Sequence, residues 1–281
     1  MDNNKKILTT KEFVTKYDLM AKKALGQNFL LDSNIVDKIM RLSLDRQGKE
    51  SLLGEKVVEV GPGPGGLTQA VLRCNPSELK VIEMDDRCLS ILGEIKEYYT
   101  QLEIINGDAL KFDWDENFNK NGKYHIVSNL PYNISVVLLM GWLENIEKFS
   151  SLTLMFQKEV ADRIMAETGS KDYGRVSVIA QLQTDVIRLF DLSPSCFVPQ
   201  PKIWSSVLLF KPKEDVVDSK VLEKVSYLTG LAFSKRRKMI RQSLKEVPNI
   251  LGILEELLLE PTLRAEDLSP MDYLNIAKKL V

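Results

Sequence analysis

Between residues 56 and 166 the chain alternates short apolar runs with stretches of helical spacing. Lys56-Val57-Val58-Glu59-Val60 is a β-rich run that ends in glycines, and residues 67–72 continue with the pattern of a helix. Residues 79–83 predict a second strand, 87–98 a helix, 102–105 a third strand and 124–127 a fourth. Residues 135–143 then read as a helix, 152–156 as a fifth strand and 158–166 as a helix. Strands that alternate with helices in this way predict a doubly wound, mostly parallel sheet. Ligands of such sheets bind outside the carboxyl ends of the strands. Upstream, Asp32-Ser33 precedes Ile35, Val36, Ile39, Met40 and Leu42, a helix with its capping signal.

The pattern loosens afterwards. In residues 174–183, Val176 and Val178 alternate like a strand, while Ala180 and Leu182 suit a helix as well. Runs at 186–189 and 206–210 flank a proline-rich loop and predict a closing hairpin. From Val217 onward the spacing is that of short helices. The expected organisation is an α/β domain over residues 1–212 and a small all-helical domain over 213–281. The polar, lysine-rich residues 1–24 read as a flexible extension of the first.

Composition narrows the class. The 281 residues are 44% hydrophobic and 27% charged, ordinary for a soluble globular protein. A net charge of −1 confines any nucleic-acid surface to a local patch. Cys74, Cys88 and Cys196 lie far apart, no CxxC pair occurs, and His125 is the single histidine, so neither a zinc site nor a disulfide framework is expected. Free thiols, an N-terminus without an apolar signal core, and a longest apolar stretch (134–143) too short for a bilayer lead to the expectation of a cytoplasmic protein.

Three motifs carry candidate chemistry. Gly61-Pro62-Gly63-Pro64-Gly65-Gly66 follows the first strand and opens a helix, where glycines let the backbone turn sharply and approach a ligand. Glu83, roughly 20 residues on at the end of the second strand, suits a ribose diol. This pair alone does not separate a dinucleotide from S-adenosylmethionine. Asp108, after the third strand, can accept from an adenine amine, or serve as a plain turn residue. Asn129-Leu130-Pro131-Tyr132 follows the fourth strand. An adenine exocyclic amine is a poor nucleophile because its lone pair delocalises into the ring. An asparagine carbonyl and a nearby backbone carbonyl that accept its N–H bonds would favour a more pyramidal, more nucleophilic nitrogen. Pro131 stiffens the loop and is expected to leave its own C=O as an acceptor, and Tyr132 offers a ring to an extruded base.

Taken together, the sequence resembles the small-subunit ribosomal RNA adenine dimethyltransferases from about Ala24 to the C-terminus. The resemblance rests on Gly26-Gln27-Asn28-Phe29-Leu30, the Gly61 loop, Ile82-Glu83, Gly107-Asp108-Ala109-Leu110 and Asn129-Leu130-Pro131-Tyr132-Asn133-Ile134-Ser135. It continues through Gln157-Lys158-Glu159-Val160-Ala161, Tyr173-Gly174-Arg175-Val176-Ser177-Val178, Phe197-Val198-Pro199-Gln200-Pro201-Lys202, Ala232-Phe233, Arg236-Arg237-Lys238 and Ser243-Leu244. Leu25 stands where the family usually has phenylalanine, and Gln242 where asparagine is common. The resemblance implies a Rossmann-like S-adenosylmethionine-dependent methyltransferase fold. It also implies dimethylation of two adjacent adenosines near the 3′ end of 16S ribosomal RNA, with the small subunit or its precursor as partner. By it, Asn28 and Leu30 close over the cofactor, Gly61 and Gly63 meet its methionine portion, Glu83 its ribose and Asp108 its adenine. Asn129, which also borders the cofactor, grips the target amine with Leu130 and Pro131, and Tyr132 and Phe197 sandwich the flipped adenine. A monomer without metal is expected.

Lys235, Arg236, Arg237, Lys238 and Arg241 form the strongest basic cluster; on a helix Arg237 and Arg241 would share a face. Phosphate contact is the functional expectation, with Lys22, Lys23, Lys158, Arg163, Lys171 and Arg175 as candidate extensions. The competing readings are a large-subunit methyltransferase of the erythromycin-resistance type, an NAD-dependent dehydrogenase, and a non-enzymatic assembly or transcription factor on the same fold.

Overall fold

The structure, a computed structural model, describes residues 7–22, 26–114 and 122–281. Within them the chain falls into two compact units. The first draws on the spans Met1–Leu138, Lys148–Lys158 and Ile187–Phe210, the second on Leu139–Glu147, Glu159–Val186 and Lys211–Val281.

The first unit carries the sheet. Strands β2 (Lys56–Val60), β3 (Glu78–Glu83), β4 (Leu102–Asn106), β5 (Tyr124–Ser128) and β6 (Phe149–Gln157) are parallel neighbours. With β7 (Thr184–Leu192) and β9 (Ser205–Pro212) they give the order β4-β3-β2-β5-β6-β9-β7, in which β9 runs antiparallel to β6. The order reverses between β2 and β5, so the loops after these strands diverge and leave a crevice at their carboxyl ends. Residues of both faces of the central strands are buried, as a parallel sheet between helices requires. Val57, Leu79, Val81 and Leu102 pack with Ile39 and Met40 of α2 (Ser33–Gln47), Val71 of α3 (Gly66–Arg73), and Ile91 and Ile95 of α4 (Asp86–Lys96) in one core. Asp32 caps α2 by accepting from the Asn34 N–H, and Gly48 ends it in the left-handed region. β1 (Phe29–Leu30) and β8 (Phe197–Val198) form a separate antiparallel pair that no alternation in the sequence announced.

The N-terminal segment differs from its expectation. Residues 1–6 and 23–25, which include Lys23, Ala24 and Leu25, lie outside the described residues. Residues 10–16, however, form a capped helix, α1 (Thr10–Lys16). The Thr9 hydroxyl accepts from the Glu12 N–H while the Glu12 carboxylate accepts from the Thr9 N–H at 2.7 Å, a reciprocal capping box. Phe13 and Leu19 are buried in the core. Apolar burial, not charge, decides the fate of this stretch.

The second unit is helical, and it is larger than residues 213–281. α5 (Ser135–Glu144) contributes its C-terminal half. α6 (Lys158–Ile164) and α7 (Arg175–Gln183) follow, and α7 packs on α8 (Ser219–Ser234) and α11 (Pro270–Lys278). The ambiguous stretch 174–183 is thus a helix, buried along most of its length among other helices. Its centre is aromatic. The Phe233 ring sits 5.9 Å from that of Tyr173 and 6.0 Å from that of Tyr273. Both tyrosines are fully buried, and their hydroxyls donate to the carbonyls of Leu268 (3.1 Å) and Ala265 (2.8 Å). Among the described residues no helix is long and apolar enough to cross a membrane.

Candidate active site

The loops after β2, β3, β4 and β5 line one cavity at the carboxyl edge of the sheet, and Gly26 through Leu30 complete its wall. Asn28, Leu30, Gly61, Gly63, Glu83, Asp108, Asn129, Leu130, Pro131 and Tyr132 all line it. The spacing of β-strand ends along the sequence therefore becomes proximity in space.

The glycine loop is shaped by close approach. Gly63 has φ +55°, and a Cβ there would meet the Phe29 ring at 3.2 Å. A Cβ on Gly66 would lie 2.7 Å from the Leu30 carbonyl oxygen, so β1 can cross the start of α3 only over a glycine. Glu83 fixes the loop from below. Its carboxylate accepts from the backbone N–H groups of Gly63 (3.0 Å), Met84 (2.9 Å) and Asp85 (2.8 Å). A carboxylate offers about four acceptor positions, so one remains for a ligand hydroxyl. Burial raises the Glu83 carboxyl above its ordinary range, against the lowering by these three bonds.

Glu59 is a cavity residue that the motif reading passed over. It stands two positions before Gly61, is 1% exposed, and accepts from the Thr68 hydroxyl at 2.6 Å. Burial, partly offset by the Thr68 bond and reinforced by the charge of Glu83, pushes its carboxyl up to about 8. The signal was present in the sequence, since a carboxylate inside an apolar parallel strand is rare unless it has a partner. Gln27 is held in a second network. Its side-chain N–H donates to Asp85 at 2.9 Å, and Arg87 donates to the same carboxylate (2.6 Å) and to the Met20 carbonyl (2.8 Å). Arg87, foremost, holds the Asp85 carboxyl down at about 2. This network ties the segment before Asn28 to the start of α4.

Asp108 Oδ1 accepts from the Leu110 N–H at 3.0 Å, so the turn role and the cavity position coexist, and Oδ2 is left as an acceptor. The Asn129 side-chain N–H donates to the Asn28 carbonyl at 3.2 Å. That bond orients the amide and leaves Oδ1 as an acceptor on the cavity wall. The Pro131 carbonyl accepts from the Ile134 N–H at 3.1 Å, which closes the turn into α5. Among the described residues the Leu130 carbonyl has no such partner, and Leu130 follows Asn129 directly along the cavity lining. The Tyr132 hydroxyl is hydrogen-bonded to the Ser205 hydroxyl at 2.7 Å. Burial raises its pKa.

Phe197 is not brought to the cavity. It pairs with Leu30 across the β1–β8 ladder, is 1% exposed and belongs to the core. Strand alternation turns its neighbour Val198 outward instead. The basic cluster is also rearranged. α8 ends at Ser234, and residues 235–238 form a turn before α9 (Ile240–Ser243), so Arg237 and Arg241 share no helix. Arg236 donates to Glu266 (3.2 Å) and to the Ser170 carbonyl (3.1 Å), and Lys235 pairs with Glu246 at 3.3 Å. Arg237, Lys238 and Arg241 are the exposed cations of the cluster. His125 lies at the opposite end of β5, buried, with Nδ1 2.7 Å from the Ser151 hydroxyl and its pKa lowered by burial. Among the described residues no group of three His, Cys, Asp or Glu is placed to hold a metal ion.

The chain is similar to known proteins. The chain is 45% identical over 272 residues to ribosomal RNA small subunit methyltransferase A of Xanthobacter autotrophicus, covering 95% of this chain and 92% of that one. It is 42% identical over 278 residues to the Mesorhizobium japonicum protein of the same name, covering 96% and 97%. Among solved structures, a dimethyladenosine transferase from Plasmodium falciparum superposes with a TM-score of 0.75 at 26% identity, covering 89% of this chain and 96% of that one. The 23S rRNA methyltransferase ErmE shares the fold, with a TM-score of 0.65 at 21% identity over 90% and 99% of the two chains. The profile of the ribosomal RNA adenine dimethylases matches residues 19–280, a span that takes in every cavity residue named above, and the chain belongs to that family.

Proposed function

We propose that the chain dimethylates two adjacent adenosines near the 3′ end of 16S ribosomal RNA, taking the methyl groups from S-adenosylmethionine during small-subunit maturation. The observation that carries this reading is that Asn129, its side-chain N–H held by the Asn28 carbonyl, and Leu130 line the same cavity as the glycine loop.

The cavity suits this donor. The tight Gly61–Gly63 turn leaves room for its methionine portion, and the start of α3 offers N–H groups to its carboxylate. Glu83 keeps one acceptor position for the ribose, and Asp108 Oδ2 suits the adenine amine. Glu59 supplies a buried carboxyl, next to a second one, that a cation would complete. When bound, the donor supplies a methyl group on a positively charged sulfur that leaves as a neutral thioether. The protein's part is placement. Asn129 Oδ1 and Leu130 C=O would accept the two N–H bonds of the target amine in the first transfer, and one of them the single remaining N–H in the second, turning its lone pair toward the donor methyl. Partial positive charge that develops on the nitrogen faces these two fixed carbonyl dipoles. Tyr132, anchored through Ser205, presents its ring to the extruded base. The amine's proton leaves to water after transfer, so no side chain has to serve as general base. A metal is not required either, because the positive charge on sulfur already makes the neutral thioether a good leaving group. In this reading the enzyme acts as a cytoplasmic monomer on the small subunit or its precursor, and Arg237, Lys238 and Arg241 contact RNA phosphates.

Incubation with labelled S-adenosylmethionine and unmodified small subunits, followed by nucleoside analysis, tests the proposal. N6,N6-dimethyladenosine in small-subunit RNA is expected. Label confined to large-subunit RNA, or no labelled adenosine, would reject it.

A further inference from the structure

We propose that Trp204 is a stacking platform for an unstacked base next to the target adenosine, and that the loop it closes is a single-strand RNA contact; this rests on the function proposed above. Residues 199–204 join β8 to β9. Both ends of the loop are fastened to walls of the cavity. On one side Val198 pairs with Phe29 of β1, which lines the cavity. On the other, Ser205 pairs with Gln157 at the carboxyl end of β6, and its hydroxyl holds Tyr132 at 2.7 Å. The Trp204 carbonyl accepts from the Lys158 N–H at 2.8 Å, which pins the backbone beneath the indole.

The loop nonetheless turns its apolar groups to solvent. Trp204 is 51% exposed, Val198 52% and Ile203 38%. Single exposed apolar residues are ordinary, but three within seven residues, one of them tryptophan, at the rim of a cavity are not. Pro199 and Pro201 restrict the backbone, so little ordering entropy is lost when a ligand arrives. Exposed Lys202 supplies a cation two positions before Trp204 in the same loop, and rings combined with cations are the chemistry that single-strand nucleic-acid sites use. Phe197, the ring expected from this segment, faces the core, which leaves Trp204 as its outward aromatic. Trp204 does not line the cavity, so its base is a neighbour of the one being methylated. When one base leaves a stack, that neighbour loses a face and needs a replacement.

The test uses the full chain and two readouts. Indole emission is titrated with a short single-stranded RNA that contains adjacent adenosines. Quenching is expected in the wild type and its loss in Trp204→Phe. Equal quenching in both, or none in the wild type, overturns the proposal whether or not turnover is seen. In steady-state methylation of unmodified small subunits, Trp204→Ala should raise KM by ~5- to ~150-fold, the range for loss of one stacked base. Its kcat and S-adenosylmethionine affinity should stay unchanged, and Trp204→Phe should recover most of the KM. An unchanged KM in Trp204→Ala, or a new oligomeric state as the source of the defect, would refute stacking. A wild type that forms no dimethyladenosine but shows the Trp204-dependent quench would instead strike only the function proposed above.

Discussion

Asn129 donates to the Asn28 carbonyl, and that bond fixes its amide and leaves Oδ1 as its acceptor. Asn129→Ala removes the acceptor without touching Glu83, Asp108 or the glycine loop. Methyl transfer should therefore fall by more than ~10²-fold, as when one preorganised polar group is removed from a transition-state site. Equilibrium affinity for S-adenosylmethionine should persist. Single-turnover rates and donor titrations on the same preparation decide it, and near-wild-type turnover would remove Asn129 from the chemistry. Glu59 permits a different kind of prediction. Its carboxyl is raised from 4.5 to about 8, so in that interval the folded protein holds a proton that the unfolded chain has released. The associated stability is present below pH 4.5 and is lost as pH climbs through about 8. Relative to Glu59→Gln, wild-type unfolding free energy should fall by about 1.4 kcal/mol per pH unit across this window. A cation bound beside Glu59 lowers its pKa, so S-adenosylmethionine should release a proton on binding and S-adenosylhomocysteine far less. Calorimetry in buffers of different ionisation enthalpy reads the difference; parallel pH curves for wild type and Glu59→Gln would dismiss the coupling.

At the scale of elements, α1 shows what docks the N-terminal segment. Phe13 is fully buried, so Phe13→Ala should destabilise the protein by ~3–5 kcal/mol. Thr9→Ala breaks only the capping box and should cost about 1 kcal/mol. Urea midpoints of the two variants provide the check, and equal, small shifts would mean that α1 is not part of the core. The parallel strands and their helices were legible in the sequence because the central strands are buried on both faces and each glycine or asparagine motif falls at a strand end. β1 and β8 were not, because two-residue strands have no period to read. The helix α7 was ambiguous for a related reason: burial on nearly every side erases the polar face that marks a helical period. Phe197 was assigned a cavity role from resemblance alone. Its direction depends on the register of β8 against β1, a long-range pairing that local sequence does not encode. Glu59 was readable in principle, as a charge inside an apolar strand, but the glycines beside it drew the motif.

At the scale of the whole molecule, a net charge of −1 means that affinity for a polyanion must come from a few placed cations. In the helical unit the sequence presents five basic residues within seven positions, and the structure sorts them. Arg236 is half-buried and bound to Glu266 and Ser170, which makes it a brace between segments of that unit. Arg237 and Lys238 project from the turn after α8 as exposed cations. The two groups should separate in one experiment. Replacing Arg237 and Lys238 together with glutamine should leave the melting temperature unchanged and weaken RNA binding. The slope of log affinity against log salt should then be shallower by about one unit for each phosphate that is no longer neutralised. Arg236→Gln should do the reverse, with a lower melting temperature and a salt slope close to wild type, because the partly buried carboxylate and carbonyl it satisfies belong to the protein itself. If Arg236→Gln alone flattens the slope while the double variant binds normally, the RNA-facing cations are not those exposed on the turn, and the division of the cluster into brace and phosphate ligand is wrong.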